Sequence, residues 1–228
     1  FGPCAFMDQF RFNQVFSSID QFGRYSYSNQ AQIALWNLSR LGSCLLLLSE
    51  ERPEKASKEL NQELEAFGVL FEQRHTAKML EKLGVFDEER PQDRDLIQKW
   101  LRYLETENLD YTLSFRALAN LVNQEEGCGS FEATAAFQDF YQLWQRRIHQ
   151  QGLEAGAIRE RMNRVNPAFI PRNHKIEEII EAGLKDDFSP FHEMNQVLQS
   201  PFEEQEELSS YQAAPRPEET VRATFCGT

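Results

Sequence analysis

The sequence predicts an all-α fold, and three observations carry that expectation. Apolar residues recur at three- and four-residue spacing along most of the chain. No segment shows the strict apolar–polar alternation of a half-buried strand. Helix-stopping residues, among them Pro53, Gly84, Gly152 and Pro201, stand where the helical patterns fade. With 228 residues, 41% of them hydrophobic, the chain is long enough to bury a substantial core.

Residues 1–28 are rich in Phe, Gln, Ser and Gly and have no sustained periodicity, so they read as a long loop, which in a compact domain is usually functional. Helical patterning begins near Asn29. Ile33, Trp36, Leu38, Leu41, Leu45 and Leu48 are too many for one narrow stripe, and this first helix is expected to be heavily buried. Leu60, Leu64, Phe67 and Phe71 mark a second helix, which either continues or restarts through Met79, Leu80 and Leu83, with Gly84 as its C-cap. Asp93 to Leu104 reads as a helix with Leu96, Trp100 and Leu104 inward. Asp110 or Thr112 caps the next, through Phe115, Leu118 and Leu121. Asn123 to Ser130 is a loop. Phe137, Phe140, Tyr141, Trp144 and Ile148 define a strong amphipathic helix ending at Gly152, and a short helix follows around Ala157 to Met162.

Asn166-Pro167 is a turn signal. Asn173 is a candidate N-cap for a helix whose Ile176, Ile179, Ile180 and Leu184 share one face. Asp187 or Ser189 starts another, with Phe191, Met194, Val197 and Leu198 inward and Pro201 stopping it. Beyond Phe202 the chain turns acidic and then Pro-containing, and residues 203–228 read as a poorly ordered or surface-draped tail.

The net charge is −12, from 36 acidic against 24 basic residues. Such a balance disfavours nucleic acid and anionic membrane surfaces, which are held by Lys and Arg contacts to phosphate. No apolar run approaches the roughly 18 residues of a membrane span. The four cysteines, at 4, 44, 128 and 226, form no C-x-x-C and no zinc spacing with histidine, so a reducing compartment is expected. Cys44 reads as a small apolar core residue. The chain does not begin with Met, and its first residues read as the middle of something longer. His75, His149, His174 and His192 are scattered and read as surface or helix-end histidines. The acid pairs Glu50-Glu51, Glu125-Glu126, Glu177-Glu178 and Asp186-Asp187 are sequence neighbours, which diverge on a helix and do not converge on one substrate. There is no G-x-G-x-x-G, no Walker A and no G-x-S-x-G. No catalytic, nucleotide-binding or metal-ligating residue is assigned from these patterns.

Several stretches, taken in order, nevertheless resemble one family. Phe1-Gly2-Pro3 is what would remain of a D-F-G-like motif cut after its Asp, and FGPCAFMD resembles the run that follows the metal-binding Asp of the SelO (selenoprotein O) family of kinase-like proteins. Gly23-Arg24-Tyr25 through Asn29-Gln30, then Trp36-Asn37-Leu38, is similar to that family's G-R-Y…N-Q-P…W-N-L stretch. Asp110-Tyr111-Thr112 and Phe115-Arg116-Ala117-Leu118 also look like a family segment, as does N-P-x-x-x-x-R-N from Asn166 to Asn173, with its helix, acidic-aromatic turn, second helix and Pro201-Phe202.

The resemblance implies the helical C-lobe portion of a protein-kinase-like fold: an activation-segment-like loop (1–28), a helical C-lobe (29–202) and an acidic, Pro-containing tail (203–228). It implies that the intact parent is a pseudokinase-like protein adenylyltransferase, which uses ATP and Mg²⁺ to transfer AMP to Ser, Thr or Tyr hydroxyls of protein substrates. The family's Gly-rich loop, its nucleotide-contacting Lys and Arg, its proposed catalytic Asp and its metal-binding Asn and Asp all precede Phe1. The chain alone is therefore expected to be inactive without the missing N-terminal half of the same protein. The implied location is cytoplasmic, or mitochondrial if the source is eukaryotic.

There are departures. Where the family often has C-N-H-S-D before G-R-Y, this chain has Phe16, Ser17, Ser18 and Ile19, and only Asp20 matches; Ala31 and Pro171 also differ from the usual residues. The resemblance further implies a regulatory disulfide between an activation-segment cysteine and one near the C-terminus. Cys226 suits the second place, the usual first place is Phe16, and Cys4 is the alternative partner. Two other readings stay open: a non-catalytic helical module whose acidic face binds a basic protein, and a degenerate family member that keeps the fold and has lost the metal site.

Overall fold

In a computed structural model that describes residues 6–48, 52–123 and 129–224, eight α-helices follow an extended N-terminal segment. They are α1 (Gln30–Leu46), α2 (Pro53–Lys82), α3 (Asp93–Thr106), α4 (Tyr111–Asn120), α5 (Ala135–His149), α6 (Ala155–Val165), α7 (Asn173–Gly183) and α8 (Ser189–Val197). No strand is present among the described residues, only one isolated antiparallel bridge between Gln9 and Asp110. The all-α expectation stands.

The core forms where the C-terminal part of α2 meets α3, α4, α5 and α6. Trp100 and Trp144 are its largest apolar members, surrounded by Phe115, Phe137, Phe140 and Leu104, all essentially without solvent contact. Trp144 donates its indole N–H to the Leu83 carbonyl at 2.6 Å, so the one polar atom of a buried ring satisfies a helix-end acceptor. The predicted second helix runs unbroken for 30 residues, about 45 Å at the helical rise, so of the two alternatives continuation is the one realised. Gly84 ends it as expected. Its amide bonds the Glu81 carbonyl at 3.1 Å and that of Val85 bonds the Leu80 carbonyl at 2.8 Å, a Schellman pair. Gly84 has φ +83°, and a Cβ there would lie 2.8 Å from Met162 Sδ. Both the turn and the close passage of α6 therefore require glycine.

A second, smaller cluster joins Ala168 and Phe169 to Met194, Val197 and Tyr211, with Ile179 packed against it. It fastens α7, α8 and the tail to the body. The tail takes the surface-draped form: Tyr211 is buried, its phenol donates to Glu193 Oε2 at 2.7 Å, and Leu208 packs on the same cluster.

Buried arginines hold the connections. Arg147 on α5 donates from Nε to Asp93 Oδ1 (2.7 Å) and from Nη2 to Asp93 Oδ2 (3.1 Å), Asp87 Oδ1 (2.6 Å) and the Glu88 carbonyl (3.0 Å). Hydrogen bonding from Arg147 is the main force holding the Asp87 carboxyl below its usual range. Arg116 on α4 reaches the carbonyls of Asn163, Asn166 and Phe202 and the Glu204 carboxylate.

Several expectations are corrected. Helix α1 is not heavily buried. Gly42 is its only buried residue, while Trp36, Leu38, Leu41 and Leu45 are exposed, because among the described residues α2 covers one side of it alone. Cys44 is exposed, not a core residue, for the same reason. Asn173 is not an N-cap: Arg172, with extended backbone, occupies that place and Asn173 is the first helical residue. Ile180 and Leu184 face solvent, since only the Ile179 side of α7 meets the second cluster, and Phe191 is also largely exposed. Helix α6 is longer than the span around Ala157 to Met162. Asp110 is the cap of α4, accepting from Leu113 N at 2.7 Å.

Two outcomes follow from this packing. Arg147→Met should destabilise the protein by about 3–5 kcal/mol in urea unfolding, because Asp93 is left charged with no solvent contact; the double variant R147M/D93L should recover most of the loss. Burial, then the Glu193 partner, pushes Tyr211 from 10.0 up to about 12. The folded state thus favours the neutral phenol. Its contribution is full below the ordinary tyrosine value and fades as pH rises through the raised one. Hydrogen exchange of the 206–212 segment should accelerate over that alkaline window in the wild type and show no such step in Tyr211→Phe.

Candidate functional site

The segment before α1 has little regular structure of its own, yet it is held at several points. The Phe10 amide bonds the Leu109 carbonyl at 2.9 Å and the Tyr111 amide bonds the Asp8 carbonyl at 2.7 Å, which lays residues 8–10 along the start of α4. The Phe10 side chain is fully buried among Phe12, Tyr27 and Tyr111, with ring centroids 5.0–5.5 Å away. Tyr27 and Tyr111 share a hydrogen bond, and burial raises both phenols above their ordinary range.

Arg172 is the centre of the arrangement. Its side chain has no solvent contact. Nη1 bonds the Asp8 carboxylate and, at 2.7 Å, Asp110 Oδ2; Nε donates to the Gln212 carbonyl at 3.0 Å. One guanidinium thus joins the N-terminal segment, the cap of α4 and the tail. Pro171 and the extended conformation of Arg172 place it there, just ahead of α7. Lys82, the last residue of α2, packs against the same Tyr111 that borders Phe10. Its ammonium sits 4.4 Å from the Phe115 ring centroid and 5.7 Å from that of Tyr111, and burial lowers it to about 8.

Further along, Asp20 accepts from the amides of Arg24 (2.8 Å, Oδ1) and Tyr25 (2.7 Å, Oδ2), and Gly23 takes φ +65°. This builds a turn that exposes Phe22 and lays the Arg24 guanidinium 4.2 Å from the Trp36 ring centroid. The tail returns to the same segment: the Ser18 amide bonds the Thr224 carbonyl at 2.7 Å, and Thr224 Oγ1 donates to the Phe16 carbonyl at 2.9 Å.

This arrangement can hold and present a loop. Among the described residues, no group of three His, Cys, Asp or Glu side chains could hold a metal ion. The histidines stand on four different helices. His174 stands in the first turn of α7, so of the two alternatives it takes the helix-end one; it is buried rather than at the surface, with its pKa lowered first by desolvation. Cys4 and Cys226 lie outside the described residues, as do Phe1-Gly2-Pro3 and Cys128. Asp20, singled out in the sequence as the one match to C-N-H-S-D, acts as the acceptor that shapes the exposed turn. Sequence reasoning missed Asp8 and the role of Arg172; an arginine directly after Phe169-Ile170-Pro171 was the available signal for a buried guanidinium.

Comparison with known proteins gives a consistent result. The profile of the family described as "Protein adenylyltransferase SelO" matches residues 1–199. Proteins named "Protein nucleotidyltransferase YdiU" align over the whole chain: 43% identity over 233 residues in Rhodopseudomonas palustris (strain ATCC BAA-98 / CGA009), 44% over 231 in Agrobacterium fabrum and 42% over 233 in Rhizobium etli (strain CIAT 652). The aligned span is 47%, 47% and 46% of those proteins, so the chain spans about half the length of the curated relatives it matches.

Arg172→Met leaves Asp8 and Asp110 facing each other without their shared cation. Cleavage by trypsin after Arg11 should then accelerate by about tenfold or more, with residues 206–212 losing exchange protection in parallel. An unchanged cleavage rate would mean that the aromatic contacts of Phe10 hold the segment by themselves.

Proposed function

The chain belongs to the SelO family of protein adenylyltransferases, and on that premise we propose that it is the helical half of an enzyme that transfers AMP from ATP to protein hydroxyls. The observation that carries this reading is the family match over residues 1–199, in register with relatives named protein nucleotidyltransferases along the entire chain.

In the proposed reaction a protein Ser, Thr or Tyr hydroxyl attacks the α-phosphorus of ATP. The new O–P bond forms as the α–β bridge breaks, the hydroxyl proton leaves to a base, and pyrophosphate departs. Mg²⁺ is the implied cofactor. The described residues do not fit it, since no carboxylate cluster here has the required geometry, and no step is assigned to a metal in this half. The nucleotide-binding groups are placed in the other half of the protein, and the substrates are proteins.

Within this half, residues 1–28 act as an activation-segment-like loop, 29–202 as a kinase-like helical C-lobe and 203–228 as a tail. The anchoring of residues 8–10 by Arg172, and the presentation of the Asp20 turn at the surface, support the first assignment. The tail lies against Phe16 and Ser18 through Thr224; the Cys4–Cys226 disulfide is proposed on the family resemblance alone, since both cysteines lie outside the described residues. Among the described residues no helix is long and apolar enough to cross a membrane.

The test uses ATP labelled in its α-phosphate. The full-length protein with a protein acceptor should incorporate label into Ser, Thr or Tyr residues, mapped by mass spectrometry, whereas this chain alone should incorporate none. Label transferred by the isolated chain would contradict the division of labour. Absence of transfer by the full-length protein, folded and with ATP bound, would favour a degenerate member.

A further inference from the structure

Among the described residues, exposed large apolar side chains concentrate on α1, away from the core. Along α1 and the two residues after it, Trp36, Leu38, Leu41, Leu45, Leu47 and Leu48 are between 39% and 86% exposed. From Gln30 to Leu48 the only charged residue is Arg40, in a chain of which 26% is charged. Scattered exposed leucines need no explanation, but Leu38, Leu41, Leu45 and Leu48 recur at three- and four-residue spacing as one apolar stripe, with Trp36 and Leu47 round the side of the helix, and a stripe of this kind marks an interaction surface. The opposite side of α1 is already occupied. There Gly42 meets Leu60 of α2 so closely that an added Cβ would lie 2.5 Å from Leu60 Cδ2. The exposed face therefore cannot be relieved by α2 rolling over it.

We infer that this face of α1 is the seam on which the half of the full-length polypeptide outside this chain docks. The inference rests on the proposed function in so far as that reading divides the enzyme into two halves. Three observations select this occupant. About half of each relative's length lies outside the aligned span, so the full-length protein supplies a partner of comparable size at an effective concentration independent of dilution. Apart from Arg24 and Arg40, both stacked at the Trp36 end, the face is uncharged, so it offers nothing to a basic protein and little to a phosphate surface, and it suits another apolar protein surface. It is also continuous with the segment that carries the proposed activation loop, through the Arg24 guanidinium stacked on Trp36. Docking there would place the nucleotide-binding half beside the turn built by Asp20.

Cys44 provides the reporter. It is exposed, and it stands three residues after Leu41 and four before Leu48, hence on the same side of the helix. The full-length protein is treated with iodoacetamide, native and in urea, and alkylation of Cys44 is followed by peptide mass spectrometry. The expected result is that native Cys44 reacts about tenfold or more slowly than unfolded Cys44, at every protein concentration. Leu41→Asp and Leu45→Asp in the full-length protein should lower its thermal midpoint and open Cys44 to alkylation, although both positions are solvent-exposed in the structure of this chain.

Native reactivity within about twofold of the unfolded rate would overturn the inference, because the face would then be open in the whole protein. Protection that disappears on dilution, together with a dimeric mass by light scattering, would also overturn it by assigning the face to a second copy. AMP transfer measured on the same preparation separates this from the proposed function. Transfer with Cys44 open removes the seam and leaves the function; protection without transfer does the reverse.

Discussion

A guanidinium with no access to water must gather carboxylates and carbonyls around it, and Arg172 is such a group. Its Nη1 and Nε are met by Asp8, Asp110 and the Gln212 carbonyl, three places that the chain visits far apart in sequence, while Nη2 has no hydrogen-bond partner among the described residues. Removing the guanidinium would leave two carboxylates facing each other with no cation between them. The N-terminal segment, the first turn of α4, the entry to α7 and the tail are therefore fixed together. The buried Phe10 ring and the backbone bonds to Leu109 and Tyr111 add apolar and neutral contacts to the same joint.

The same device recurs. Arg147 ties α5 to the loop before α3, and Arg116 ties α4 to the end of α6 and to the Phe202 region. In a chain of net charge −12, cations are drawn inward to gather carboxylates and carbonyls at the connections, while most of the acids face solvent. Among the described residues the α1–α2 hairpin shows no buried arginine of this kind. It is held by a close approach at Gly42, and its outer face is left apolar. The contrast separates a body joined by buried guanidinium groups from a hairpin whose outer face is apolar and exposed. In the proposed function the first would hold the loop, and the second is the proposed seam for the other half.

Local signals in the sequence translated well. Gly84 and Asp110 were legible because a Schellman turn and an N-cap are decided by a few adjacent residues. The apolar stripe of α5 was legible because its partners are equally apolar. Helix α1 was not, because periodicity reports that a face is apolar and says nothing of whether a partner is at hand. The capping of α7 shifted by one residue, from Asn173 to Arg172, because burial of the arginine dictates the backbone there more strongly than the cap propensity of asparagine. The partners of Arg172 and Arg147 were not legible, since those acids lie 54 to 164 residues away and no local pattern pairs them, even where the apolar run before Arg172 hinted at its burial. The family motifs pointed to the overall assignment; the role of the arginine within N-P-x-x-x-x-R-N needed three dimensions.

The most direct measurement of the Arg172 joint is a double-mutant cycle read by hydrogen exchange. Protection of the Phe10 amide and of the peptide containing Gln212 would be measured in the wild type, Asp8→Asn, Arg172→Met and the double variant of the full-length protein. If one buried guanidinium serves both sites, the double variant loses little more protection than Arg172→Met alone, and both sites respond together. Losses that simply add, or a Gln212 peptide indifferent to Arg172→Met, would contradict the clamp as the joint on which the loop and the tail depend.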